Sequence, residues 1–223
     1  LAQELLRWSD VVVADYHYYY DGAAMLHALA QAQQWKVGVL VDEAHNLLER
    51  ARRMYTAELS PFALAEARKT ATGPIRKALD RLHRSWSALN RTQSDDYQAY
   101  DRIPVALLDA LKRTVASIAD SHADSPMLPG DPVLAFHWDA LRFVALAEQF
   151  GSHSLFDVSF APARPGQGRT RASVLCLRNV VPAPHLAARH AAAHASVLFS
   201  GTLSPPGFYR ETLGLPEGTG WID

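Results

Sequence analysis

The feature that constrains the fold most is an apolar run without polar alternation, "KVGVLV" at 36–41. A strand with one face in water alternates polar and apolar residues, whereas a strand covered on both faces is apolar throughout. A β-branched run, "DVVVADY" at 10–16, precedes it, and a helical pattern at 21–35 joins the two. Strand, helix and strand in this order predict a parallel sheet that is covered on both faces.

The following hundred residues have helical periodicity throughout. Clusters of proline, glycine, asparagine and aspartate separate the amphipathic stretches, which is typical of consecutive helices. The predicted helices are 44–57, 60–71, 74–91, 103–121 and 132–150. Strand patterns then return at 155–163, 171–179 and 195–203, with one more predicted helix at 184–194.

The order of these elements predicts an α/β fold that is interrupted by an insertion. Residues 1–43 and 151–223 would form the two parts of one α/β domain with a parallel sheet, and residues 44–150 a large all-helical insertion between them. The chain starts with "LAQELLRW", in the middle of an amphipathic pattern, and stops at "GTGWID". We therefore expect this sequence to be a piece of a longer protein.

Composition excludes several kinds of site. The one cysteine, Cys176, excludes disulfides within the chain and cysteine-cluster metal sites, and its apolar setting predicts a buried thiol. The ten histidines do not have the spacing of zinc ligands. No apolar run is long enough for a membrane-spanning helix, so we expect no membrane partner and a cytoplasmic protein.

The positive charge of the chain is concentrated in one segment. Residues 50–91 contain ten Lys and Arg against three acids, a net charge of +7, although the whole chain has a net charge of −1. Within the predicted helix 74–91, Asp80 can pair with Lys77 or Arg84. The face is therefore either an ordinary solvated helix surface or a cationic groove that follows a nucleic-acid backbone. The cations that recur on this face are Lys77, Arg81, Arg84 and Arg91.

Two acids, Asp42 and Glu43, directly follow the apolar run at 36–41. They would lie at the carboxyl edge of a parallel sheet, where ligands bind in open α/β folds. In phosphoryl-transfer ATPases the first such acid holds Mg²⁺, usually through water, and the second orients or deprotonates the attacking water. The alternative is that Asp42 caps a helix that starts near Ala44. The four letters "DEAH" after a buried strand favour the catalytic interpretation.

A second polar group, Ser200, Gly201 and Thr202, follows the last predicted strand. Small hydroxyl residues at a strand end can hydrogen-bond to a neighbouring site residue across the sheet edge. The same three residues are also ordinary turn formers. Taken by itself, this segment leaves both interpretations open.

Together, three segments resemble the XPD/DinG family of superfamily 2 DNA helicases: "DVVVADYHYYYD", "VLVDEAHNL" and "ASVLFSGTLSP…FYRETLGLP". The resemblance implies an ATP-dependent DNA helicase of 5′→3′ polarity that acts in repair or replication. It implies that Asp42 and Glu43 are the Walker B pair, with Asp42 holding Mg²⁺ through water. It also implies that His45 couples the nucleotide state to the other motifs, and that Ser200, Gly201 and Thr202 are motif III, which links hydrolysis to strand movement.

The resemblance extends to the helical insertion at 44–150, which is similar to the arch domain of this family. With an iron–sulfur domain, the arch forms a hole that admits one DNA strand. The implied partners are single-stranded or forked DNA, contacted by the cations of the +7 segment, and repair proteins that dock on the insertion. The resemblance also implies association with the nucleoid if the protein is bacterial. Four tyrosines of the first segment could stack on bases, although packing is the simpler expectation for most of them: Tyr16, Tyr18, Tyr19 and Tyr20.

The chain also departs from the family pattern. It contains no G-x-x-x-x-G-K-[ST] segment and lacks the four cysteines of the iron–sulfur cluster. The resemblance implies ATP, Mg²⁺ and a [4Fe-4S] cluster in the full-length protein. Because residues 1–223 lack these motifs, we expect none of the three in this chain alone and predict it to be inactive. Two alternatives stay open: a non-catalytic docking module, and a metal-dependent hydrolase that uses Asp42, Glu43 and His45.

Overall fold

The computed structural model describes residues 2–124, 127–160 and 172–222. The helices are α1 (Ala2–Arg7), α2 (His17–Tyr20), α3 (Met25–Ala32), α4 (Leu47–Met54), α5 (Pro61–Thr70), α6 (Gly73–Thr92), α7 (Val105–Asp124), α8 (Pro132–Ala147), α9 (Ala183–Ala192) and α10 (Pro206–Leu213). The strands are β1 (Gly38–Val41), β2 (Ala57–Leu59), β3 (Tyr97–Tyr100), β4 (Ser154–Phe160), β5 (Ser173–Asn179) and β6 (Ala195–Leu198). The chain divides into two compact units, residues 1–55 with 179–223, and residues 56–178.

The first unit contains a two-stranded parallel sheet, β1 with β6. Gly38 lies opposite Ala195 and Val41 lies opposite Leu198, so the two strands end side by side. The Phe199 amide donates to the Val41 carbonyl at 3.0 Å, which extends the pairing beyond both strands. The residues that follow β1 and β6 therefore start from the same edge of the sheet.

Helices α9 and α10 flank β6 in sequence and pack against each other. Leu186 of α9 and Leu213 of α10 are fully buried. Helix α10 ends at Gly214, whose left-handed φ of 64° and lack of a side chain are both required, because a Cβ there would collide with the Ala183 carbonyl. The packing of α9, which precedes β6, against α10, which follows it, thus fixes the path of the chain after β6.

The second unit consists of α5 to α8 and a four-stranded sheet of order β2-β5-β4-β3. Two helices have clear sequence-encoded starts: the Ser60 hydroxyl accepts from Phe62 N at 3.2 Å and Asp131 accepts from Val133 N at 2.7 Å. Helix α6 buries its apolar face, and the indole of Trp86 donates to the Ser173 hydroxyl at 2.8 Å.

Most of the predicted elements are confirmed. The chain is a mixed α/β protein with a small parallel sheet and a large helical part, as its patterns predicted. The prediction that the sheet is covered on both faces is wrong for the described residues, since Leu40 of β1 and Val197 of β6 are 75% and 53% exposed. Cys176 is buried in β5, and burial raises the pKa of its thiol to about 12. The ends of two predicted strands, 161–163 and 171, lie outside the described residues. Within the described residues no helix is long and apolar enough to cross a membrane.

Other details differ from the sequence interpretation. The strand predicted at 10–16 is wrong: the segment is irregular up to α2, and Val13 is 96% exposed, because no neighbouring strand pairs with it. Two short strands, β2 and β3, interrupt the region described as entirely helical. The compact units change at 55/56 and 178/179 rather than at the predicted 43/44 and 150/151, and both β4 and β5 belong mainly to the second unit.

Candidate active site

The turn after β1 places the two predicted acids at the edge of the parallel sheet. Asp42 comes directly after the strand, and Glu43 adopts the left-handed conformation (φ 48°, ψ 44°), which is uncommon for a residue with a side chain. A single 3₁₀ turn, Ala44–Asn46, then leads into α4. The Ala44 amide donates to the Phe199 carbonyl at 3.1 Å, so the turn is bonded to the chain that leaves β6. We refer to residues 42–46 as the DEAH turn.

The DEAH turn contacts the Ser-Gly-Thr segment through side chains. His45 Nδ1 lies 2.7 Å from Ser200 Oγ and 3.2 Å from Glu43 Oε2. The Ser200 hydroxyl in turn donates to Glu43 Oε2 at 3.4 Å. The imidazole and the carboxylate of the DEAH turn thus meet a hydroxyl more than 150 residues away in the sequence, and the three groups form one polar triangle. The structure brings together the two motifs that the sequence indicated separately.

The three residues of the second motif have different surroundings. Thr202 N donates to Ser200 Oγ at 3.3 Å, and the Thr202 hydroxyl lies 3.5 Å from the same oxygen, so both fix the Ser200 side chain. Gly201 lies in open space. The segment lines one side of a cavity of about 880 Å³ formed by residues of β6, α10 and the chain that follows.

The carboxylates remain accessible. Asp42 is exposed, its Oδ1 accepting from Glu43 N at 2.8 Å, and the Glu43 side chain is 60% exposed. The alternative that Asp42 caps a helix is wrong, since neither the 3₁₀ turn nor α4 has a side-chain cap. Among the described residues no group of three His, Cys, Asp or Glu could hold a metal by itself. Two exposed carboxylates do fit Mg²⁺, which completes its octahedron with water and phosphate oxygens.

Sequence reasoning missed the residue that fastens the DEAH turn from the other side. The Tyr16 hydroxyl donates to the backbone carbonyls of Asp42 and of Glu43, the latter at 3.0 Å. The Arg50 guanidinium lies over the Tyr16 ring, 5.2 Å from its centroid, and pairs with Asp15 at 2.9 Å. Tyrosine at position 16 was visible in the sequence, but no local pattern shows that a hydroxyl meets a turn 26 residues later.

The neighbouring tyrosines mainly serve packing, as expected. Tyr19 and Tyr20 are buried, and the ring of Tyr20 lies edge-on to His190 at 5.5 Å. Burial raises the pKa of Tyr20 and lowers that of His190 to about 4. Tyr18, by contrast, is 60% exposed. Of the four tyrosines, Tyr18 has the surface most accessible to a base.

The predicted cationic face lies on α6 in the second unit. All four of its side chains are exposed and have no ion pair within the described residues: Lys77, Arg81, Arg84 and Arg91. Asp80 pairs instead with Arg68 at 2.7 Å and Arg76 at 3.1 Å, so the expected pairing with Lys77 or Arg84 is wrong. Hydrogen bonds from Arg68 and then Arg76 hold the pKa of Asp80 below its usual range. The face keeps its full positive charge.

Comparison with solved structures agrees with this architecture, whereas the other comparisons found no match. No family model and no curated protein matches the chain. Among solved structures, it aligns with an XPD helicase over 96% of its length, with 18% identity and a TM-score of 0.57. It aligns with a truncated XPD over 99% (16% identity, TM-score 0.56) and with Xpd4 from S. tokodaii over 90% (16%, 0.53).

The chain therefore has the α/β fold of part of an XPD helicase. It spans 35% of the first of these structures, 59% of the truncated XPD and 42% of Xpd4. Identities of 16–18% establish the fold alone. Because one fold can serve many activities, this fold does not specify the activity.

Proposed function

We propose that the chain is part of the motor of an ATP-dependent DNA helicase. The observation that carries this proposal is the triangle of His45, Ser200 and Glu43, which joins the DEAH turn to the segment after β6. An isolated acid after a strand would need no such link. A hydrolase whose chemistry must be communicated to other parts of the protein does need one. A polarity of 5′→3′ and a role in repair or replication follow from the family resemblance and belong to the same proposal.

The two acids take different roles in this proposal. Mg²⁺, when bound with the nucleotide, neutralises the charge of the phosphates. Asp42, exposed at the sheet edge, would hold the ion through water. Glu43 has its carboxylate 60% exposed and one oxygen shared with His45 and Ser200, which leaves the other oxygen to orient the attacking water.

The side chains of His45 and Ser200 would respond to a change in the charge or position of the Glu43 carboxylate. A change of charge or position at the Glu43 carboxylate alters its bonds to the imidazole and the hydroxyl at once, since both contact Oε2. Ser200 is followed by Gly201, which leaves room for the segment to move. The signal would thus pass from the acid to the chain after β6.

The remaining parts of such a motor do not come from these residues. The sequence has no phosphate-binding loop, so we propose that residues 1–223 do not hydrolyse ATP alone. The buried Cys176 is the one cysteine of the chain, so residues 1–223 do not fit an iron–sulfur cluster, which needs four cysteine ligands. DNA would be contacted by the exposed cations of α6.

The test is ATP hydrolysis with and without single-stranded DNA. Purified residues 1–223 should show no DNA-stimulated hydrolysis, and measurable activity would contradict the proposal. In a polypeptide that carries these residues together with a phosphate-binding loop, Glu43→Gln should lower kcat by at least about a hundredfold, as expected when a positioned base is lost. Glu211→Gln, an exposed acid on α10, is the control and should retain the unmodified rate. Equal rates for both variants would remove Glu43 from the mechanism.

A further inference from the structure

A polar pocket in the first unit lies beside the DEAH turn but contains none of its carboxylates. It has a volume of about 460 Å³ and is lined by His17, Asn46, Glu49, Arg50 and Arg53. Its lining does not include Asp42, which is proposed to hold Mg²⁺, nor Glu43, His45 and Ser200, which form the triangle. A molecule bound here would therefore contact residues other than the carboxylates proposed to hold Mg²⁺ and water.

The donors of this pocket match an anion. Two guanidinium groups, an imidazole and a side-chain amide offer N–H donors on its walls, and arginine forks suit phosphate oxygens. The acid on the wall, Glu49, is already paired with Arg52 at 2.5 Å. Asp15 pairs with Arg50 through one amino group, which leaves further N–H groups of the guanidinium available.

The same arginine also supports the DEAH turn. Arg50 stacks on Tyr16, and the Tyr16 hydroxyl holds the carbonyls of Asp42 and Glu43. Asp15, the partner of Arg50, is also bonded to His17 Nδ1 at 2.6 Å. Both partners of Asp15, His17 and Arg50, line the pocket. Glu43 has left-handed backbone angles that depend on such contacts to persist. A ligand that pulls Arg50 toward the pocket would shift Tyr16, and with it the turn that carries the acids.

We propose that this pocket binds a phosphate of single-stranded nucleic acid, and that Arg50 and Tyr16 transmit its occupancy to the DEAH turn. The anion site follows from its geometry, whereas the identification of the anion as nucleic acid rests on the proposed function. Arg50 and Arg53 hold the phosphate, with Asn46 and His17 as additional donors. Tyr16 is a positioning residue, since it acts on the acids through their backbone.

The test is amide NMR of the isotopically labelled 223-residue chain, without nucleotide. An oligo(dT) of about 12 nucleotides should shift the amides of Asn46 and Arg50 and, with them, those of Glu43 and Ala44. In Arg50→Gln/Arg53→Gln the affinity read from these amides should fall at least about tenfold, as for the loss of charge-assisted hydrogen bonds. Lys36→Gln, an exposed cation away from the pocket, is the charge control and should shift as the unmodified chain does.

Coupling is tested with Tyr16→Phe, which keeps the ring and removes the hydroxyl. At saturating oligonucleotide the pocket amides should still report binding, while the shifts at Glu43 and Ala44 disappear. Persistence of those shifts would overturn the coupling. Unchanged binding in the double variant, or titration of the pocket by inorganic phosphate or ATP but not by the oligonucleotide, would overturn the site. Because no hydrolysis is measured, failure here is distinct from failure of the ATPase proposal.

Discussion

The two compact units distribute their apolar residues differently. Of the twelve largest fully buried side chains among the described residues, ten belong to residues 56–178, whereas Tyr20 and Leu47 belong to the unit with the candidate site. Exposed apolar side chains are more frequent in the site-bearing unit, with Leu40 on β1 at 75% and Val197 on β6 at 53%. The core and the candidate chemistry are thus in different parts of the molecule.

The candidate functional groups of the two units also differ in the contacts that they make. In the first unit they form specific links over long sequence separations, such as His45 with Ser200 and Tyr16 with the DEAH turn. In the second unit the cations of α6 extend into solvent without ion pairs among the described residues. A linked group is sensitive to the loss of any one member, whereas an electrostatic surface changes in proportion to its charge. The comparison therefore predicts two kinds of response to substitution.

The largest effect is expected in the core of the second unit. Phe156 is fully buried in β4, with the rings of Tyr100 and Phe143 close by. Phe156→Ala should lower the free energy of unfolding in urea by about 3–5 kcal/mol, because it leaves a cavity. Leu40→Ala, in the exposed strand β1, should change it by less than about 0.5 kcal/mol. Similar losses for both would show that the cores of the two units do not differ as described.

A smaller effect is expected for the cations of α6. Lys77→Glu/Arg81→Glu/Arg84→Glu should weaken binding of single-stranded DNA by about a hundredfold at moderate salt and flatten its salt dependence. The measurement is fluorescence anisotropy over a range of salt concentrations. Arg76→Gln is matched to Arg81→Gln in charge and helix, but Arg76 is paired with Asp80, so it should cost less affinity. Unchanged binding in the triple variant would assign the DNA to another surface.

The sequence predicted the elements with strong local signals. The apolar run of β1 was sufficient to expect a strand of a parallel sheet with polar residues at its carboxyl edge. The partner strand inferred for it at 10–16 is wrong, since β1 pairs with β6. The sequence thus located Asp42, Glu43 and the segment 200–202 at strand ends, without showing that the two strands are neighbours. It could not indicate that His45 contacts both Glu43 and Ser200, because the direction of a side chain depends on the turn conformation of Glu43.

The features that the sequence predicted wrongly or did not predict have physical causes as well. The valines at 11–13 have high strand propensity, but a strand forms only where a neighbour supplies hydrogen bonds, and none pairs there. Strand β3 was missed because its four residues follow a segment rich in turn formers and pair with the distant β4. Tyr16 was treated as one of four similar tyrosines, since only tertiary structure distinguishes it from Tyr19 and Tyr20.

The central claim is that the DEAH turn and the segment after β6 form one hydrogen-bonded site. A double-mutant cycle of His45→Ala and Ser200→Ala, measured as free energy of unfolding, tests it most directly. The account predicts a coupling energy of about 1 kcal/mol, whereas Lys77→Ala and Arg91→Ala on α6 should be additive within about 0.3 kcal/mol. Additivity of His45→Ala and Ser200→Ala to the same extent would contradict the account.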